Sequence, residues 1–201
     1  MTFSGRGGAG SAWLSPASRP VVYSEVVTAQ EAYELTTRGG ATDFRRLIDV
    51  CESFGPYCLV GGLAVNCYVE PVYTLDADIV VIASNLSKLT THLEEQGFKA
   101  EEYPHSVNVL APGSDLRIQF TTDERYQTFP ARATEAEVLG VRVKVACLED
   151  VTCGKLWAYG DPQRRLSKRK KDELDLIRLA EAYPELKSSY PAELRAQLDR
   201  G

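Results

Sequence analysis

The sequence predicts an α+β fold: a mixed sheet flanked by helices, followed by a helical C-terminal part. Three observations predict it. A short apolar run, Tyr57 to Val60, ends in the pair Gly61-Gly62 and passes into a helical pattern. A second run, Thr74 to Ala83, contains Ile79-Val80-Val81-Ile82, apolar on both faces as a covered inner strand requires. From Leu148 onward the periodicity is helical throughout.

The elements follow in order. Phe44, Leu47, Ile48 and Cys51 recur at helical spacing and predict a helix over Ala41 to Glu52, stopped by Phe54-Gly55-Pro56. After the first strand, Leu63 to Tyr68 opens a second helix. Leu86, Leu89 and Leu93 make Asn85 to Gln96 amphipathic, with Gly97 as a stop. Val107 to Leu110 and Leu116 to Thr121 flank Pro112-Gly113-Ser114 as a hairpin, and Glu135 to Leu139 and Val141 to Ala146 flank Gly140 as another. Helices are then expected over Leu148 to Tyr159 and Ser167 to Ala182, with a short last one after Pro191. The organisation expected is a flexible segment 1–20, a sheet domain 21–147 and a helical region 148–201.

Composition narrows the function. The chain has 201 residues, 44% hydrophobic and 25% charged, which suits a globular core. Its net charge of −5 argues against a general electrostatic hold on nucleic acid. Apolar runs are too short to span a membrane, and no export signal is evident, so a cytoplasmic location with no membrane partner is expected. Five cysteines without a C-x-x-C spacing and two histidines give a structural zinc site no support, and the thiols read as small hydrophobes. Gly5, Gly7 and Gly10 satisfy G-x-G-x-x-G but lack the strand that must precede a dinucleotide loop. Trp157 reads as a core side chain.

Two features carry chemistry. Gly61 and Gly62, between a strand and a helix, can bring backbone amides close to a phosphate. Asp76 and Asp78, two apart on a strand, point to one side with alpha carbons about 6.5–7 Å apart. Such a pair can close on one hard divalent cation.

Together, Gly61-Gly62, a short helix and Thr74-Leu75-Asp76-Ala77-Asp78-Ile79 resemble the polymerase-beta-type nucleotidyltransferase superfamily, and within it the bacterial AbiE-type toxin branch. Leu148-Glu149-Asp150, Lys155, Lys171-Asp172 and Asp175 echo a second segment of that branch. The resemblance spans roughly Phe44 to Leu186. It implies a nucleotidyltransferase fold, with a nucleoside monophosphate passed from a triphosphate to an RNA (tRNA) or protein acceptor. A toxin–antitoxin role, with an antitoxin protein as partner, is implied as well. Asp76 and Asp78 would hold Mg²⁺. Gly61, Gly62, Thr74, Lys155 and Lys171 would serve the nucleotide.

Two positions depart from the pattern. Val72 stands where the branch has Arg. Gln119 stands where a later strand supplies a third carboxylate, if Leu116, Ile118 and Phe120 face inward and Arg117 and Gln119 outward. An amide brings no charge and accepts no proton. Asp115 or Asp123 replaces that acid only in a different register. The preferred reading is an enzyme working with one cation; the alternative is a catalytically inactive nucleotide-binding or protein-interaction module. Arg164, Arg165, Lys168, Arg169, Lys170 and Lys171 form a basic cluster that reads equally as a solvated helix face or as a platform for phosphates.

Overall fold

Seven strands share one sheet in the order β3-β4-β5-β2-β1-β7-β6 in a computed structural model that describes residues 29–200. The elements, in chain order, begin with α1 (Ala29–Thr37), α2 (Gly40–Phe54), β1 (Tyr57–Val60) and α3 (Gly61–Val65). Then come β2 (Asp76–Val81), α4 (Ala83–Glu95), β3 (Lys99–Tyr103), β4 (Ser106–Leu110) and β5 (Arg117–Thr121). The hairpin β6 (Thr134–Val138) and β7 (Val141–Val145) leads into α5 (Leu148–Gly160), α6 (Leu166–Ala182) and α7 (Ala192–Leu198). The expected segment 1–20, with its three spaced glycines, lies outside the described residues.

The sheet is mixed, as the α+β reading requires. β1 runs antiparallel to β2 and parallel to β7, while β2 runs parallel to β5. The outer hairpins, β3-β4-β5 and β6-β7, are antiparallel. The centre is apolar for a physical reason: every residue of β1 is buried, as are Ile79, Val80 and Val81 of β2, because helices cover that part of the sheet. Phe44, Leu47, Ile48 and Cys51 of α2 are all buried in this core, as their spacing predicts. α4 is fastened to the end of α2 by Asn85 Nδ2, which donates to the Phe54 carbonyl at 2.6 Å. A smaller apolar cluster of Leu176, Ala180, Tyr190 and Leu194 seats α7 on α6, where the Tyr190 hydroxyl donates to the Leu176 carbonyl at 2.9 Å.

Differences from the expected elements concentrate at boundaries and edges. β2 begins at Asp76, so Thr74 precedes the strand, and α3 begins at Gly61 rather than Leu63. Two elements were not anticipated. α1 carries one buried apolar anchor, Tyr33, beside the buried Thr37, and leaves Leu35 exposed, so its sequence has no apolar stripe. β3 is an edge strand reading Lys-Ala-Glu-Glu-Tyr, and it exists through its ladder to β4 rather than through an apolar face. Among the described residues, no helix is long and apolar enough to cross a membrane.

Candidate functional site

The strand register brings the predicted residues together. Asp78 is opposite Val60 on β1, directly before Gly61, and opposite Gln119 on β5. Alternation along β5 buries Ile118 and Phe120 and leaves Arg117 and Gln119 on the other face, so Gln119 lies on the side of the sheet that bears Asp76 and Asp78. The register therefore removes Asp115 and Asp123 as replacements. Asp115 is held by Arg38 at 2.6 Å and Asp123 by Arg125 at 2.6 Å.

A cavity of about 150 Å³ is lined by Gly61, Asp78, Gln119, Tyr126, Lys155 and Asp172, among others. It adjoins a wider cleft of about 590 Å³ that shares Gln119, Tyr126 and Arg164 and extends past His105, Asp123 and Trp157. Thr74, Asp76 and Lys171 stand beside this cavity rather than in its wall. Lys171 Nζ donates to Thr74 Oγ1 at 3.3 Å, and Lys168 Nζ is 3.3 Å from Asp76 Oδ2. The first two turns of α6 thus reach the start of β2.

Gly61 has a specific task. Its φ of 69° lies in the left-handed region, and a Cβ there would stand 2.7 Å from Asp78 Cγ. The carboxylate of Asp78 occupies the space a side chain would need, which only glycine concedes. Gly62 is less constrained, since its Cβ would meet Thr74 Oγ1 at 3.4 Å. α3 spans only five residues, so its dipole adds little to the site.

The charges divide into two groups. Lys155 is buried, 3.0 Å from Asp172 and 2.7 Å from Asp175. Burial pulls its pKa down, but the two carboxylates outweigh that and hold the ammonium above its ordinary value. Arg164 completes the shell of Asp172 at 2.6 Å, and Arg178 that of Asp175 at 2.8 Å. The charge of Lys155 is therefore already met, although it borders the cavity. Asp78 has no hydrogen bond or ion pair among the described residues. Burial, and secondarily the nearby Asp76 carboxylate, push its pKa up against the attraction of Lys155, Lys168 and Arg164.

This donor set fits one hard cation. Two carboxylates on one strand face, beside an amide carbonyl, match a Mg²⁺ site completed by water and phosphate oxygens, and Asp78 is the ligand left without a partner. No group of three or more acidic, histidine or cysteine side chains suited to a metal occurs among the described residues.

Comparisons with known proteins bear on the fold. No family model matches the sequence, and no curated protein matches it. Solved structures do. The crystal structure of ANT(2'')-Ia in complex with adenylyl-2''-tobramycin superposes with a TM-score of 0.53 at 17% identity, over 80% of this chain and 97% of that one. The solution structure of the same antibiotic-resistance factor gives 0.50 at 16% identity, over 80% and 93%. The fold is that of a nucleotidyltransferase. Lincosamide antibiotic adenylyltransferase LnuA aligns over 70% of this chain and 96% of that one, at 16% identity and a TM-score of 0.48. In the nucleotidyltransferase fold described here, Thr121 and Tyr126 also line the cavity. Thr121 continues the alternation of Gln119 and was legible in principle, whereas Tyr126 arrives on a 3-10 turn that has no sequence signature.

The expectations for the cysteines and Trp157 hold in part: Cys67, Cys147, Cys153 and Trp157 are half-buried, and Trp157 also lines the wider cleft. Cys51 and Cys58 are buried, all five thiols are free, and burial pushes Cys58 up to about 12. Trp157 packs against Phe129 and Tyr126, with the Arg125 guanidinium 4.7 Å from its ring centre.

Proposed function

We propose that the protein is a Mg²⁺-dependent nucleotidyltransferase that moves a nucleoside monophosphate from a nucleoside triphosphate to an acceptor hydroxyl. One observation carries this reading: the Asp78 carboxylate faces a cavity with no partner among the described residues, beside Asp76 and Gln119, over a glycine that makes room for it. A charge kept in that state lowers stability unless a ligand uses it.

Asp76 and Asp78 would hold the cation, which supplies Lewis-acid stabilisation of charge on the phosphoryl oxygens. The residues of the chain position the rest. Backbone at Gly61 and Gly62 leaves the phosphates room beside Asp78. Lys171, anchored on Thr74, presents its ammonium at the mouth of β2. The acceptor oxygen attacks the α-phosphorus, the α–β phosphoanhydride bond breaks, and pyrophosphate leaves. Gln119 cannot take the proton of the hydroxyl, so that proton passes to water in the open cleft. Catalysis is then mostly positioning and electrostatic stabilisation.

The acceptor assigned is RNA, including tRNA, or a protein, and the role is that of a toxin held by an antitoxin protein. Both rest on the AbiE-type resemblance. The exposed Arg165 beside the cleft, together with Arg169, supports a polyanionic acceptor. Gln119 favours a second reading, a silent nucleotide-binding module. Incubation with each α-labelled triphosphate, Mg²⁺ and total RNA or protein decides between them. Label transferred by the wild type and lost in Asp78→Asn supports the enzyme; nucleotide binding without transfer supports the module.

A further inference from the structure

Lys168 reaches Asp76, and three of the basic residues around it have other partners. Arg164 is paired with Asp172, Lys170 with Glu173 at 2.7 Å, and Lys171 donates to Thr74. Among the described residues only Lys168 pairs with a predicted cation ligand, at 3.3 Å from Asp76 Oδ2, with its side chain 41% exposed and that of Asp76 28% exposed. A pair this open is weak and breaks easily. Lysine is a flexible point charge with three donors, suited to changing partners.

We infer that Lys168 is an exchangeable counter-ion: it neutralises Asp76 in the free protein, yields Asp76 to the divalent cation, and then offers its ammonium to the phosphates of the nucleotide. The inference rests on the cation–nucleotide reading of the cleft. An ammonium and a divalent cation repel each other at one carboxylate, so arrival of the cation turns Lys168 away from Asp76. Gln119 in place of a third acid adds no negative charge for a second cation, and Lys168 is the ammonium in contact with the pair. The exchange makes binding mutually supportive. The cation frees Lys168 for the nucleotide, and the nucleotide draws Lys168 off the cation site.

The test is titration of the full chain with Mn²⁺, read by the electron paramagnetic resonance of the free ion. It is run alone and with each of the four α,β-methylene nucleoside triphosphates. Lys168→Met and Lys168→Gln are expected to bind Mn²⁺ roughly two- to fivefold more tightly than wild type without nucleotide. Both are also expected to lose most of the gain in Mn²⁺ affinity that an analogue gives the wild type. Lys170→Met, which removes a nearby charge paired elsewhere, is expected to leave both quantities unchanged. Unchanged or weaker Mn²⁺ binding in the Lys168 variants, a retained nucleotide gain, or an equal effect of Lys170→Met overturns the inference. Wild-type Mn²⁺ affinity in Asp78→Asn overturns the cation reading itself, and this inference with it.

Discussion

Two groups of acids lie within the same cleft and are treated in opposite ways. Between α5 and α6, Asp172 and Asp175 are buried and ion-paired with Lys155, Arg164 and Arg178, although Asp175 Oδ2 meets Lys155 without a hydrogen bond. On β2, Asp78 is half-buried in the cavity wall and, among the described residues, no side chain pairs with it, while Asp76 has only Lys168. The first arrangement holds two helices together at the back of the site. The second leaves charge unmet at the front, which is where a ligand carrying positive charge belongs. Burial and pairing together separate the structural acids from the candidate functional ones.

The largest expected effect comes from breaking the partnered group. Lys155→Met removes the ammonium shared by two buried carboxylates, leaving each with one arginine, and is expected to destabilise the fold by about 3 kcal/mol, read by chemical denaturation. A loss below about 1 kcal/mol would place Lys155 with the functional charges instead. The unpartnered group should respond in reverse. Asp78→Asn is expected to lower nucleotide transfer by ~100-fold or more while leaving the protein at least as stable at neutral pH.

The pH dependence sharpens the contrast. Because the folded pKa of Asp78 is raised, its contribution to stability is complete below the ordinary carboxylate pKa and is lost as pH rises through the raised value. Wild type is therefore expected to lose stability with rising pH across that window. Asp78→Asn, or saturation with Mg²⁺, should flatten this limb, and thermal unfolding against pH measures it. A limb that persists in Asp78→Asn would assign it to another group.

Gly61→Ala forces a Cβ into the Asp78 carboxylate at a left-handed φ and is expected to cost about 1–3 kcal/mol. Removing the carboxylate as well, in Gly61→Ala/Asp78→Ala, should recover the part due to the clash. Full additivity in that double-mutant cycle would break the link between glycine and acid. The smallest expected effect is on stability in Lys171→Met, within about 0.5 kcal/mol, since this lysine holds only Thr74.

Much of this was legible in the sequence. The apolar run of β1, the glycine pair and the Asp76–Asp78 spacing placed the centre of the sheet and one wall of the cleft, because strand periodicity fixes which side chains share a face. The alternation around Gln119 predicted its side of the sheet, and the register with Asp78 agrees. Other features depend on contacts between distant parts of the chain. Lys168 and Asp76 are separated by 92 positions, and nothing local marks one lysine of a basic run as the one that reaches β2. The partnering of Lys155 is equally non-local, as a lysine on a helix gives no sign of two acids facing it from the next helix. α1 and β3 escaped because one buried tyrosine and an edge ladder, rather than an apolar period, hold them in place.

The account depends on a cation held by Asp76 and Asp78 bringing a triphosphate into the cleft. Equilibrium binding of a non-hydrolysable nucleoside triphosphate to wild type and Asp78→Asn, in Mg²⁺ and in excess chelator, tests this most directly. Binding that requires Mg²⁺ in the wild type and disappears in Asp78→Asn is the predicted result. Equal binding in all four conditions would contradict it.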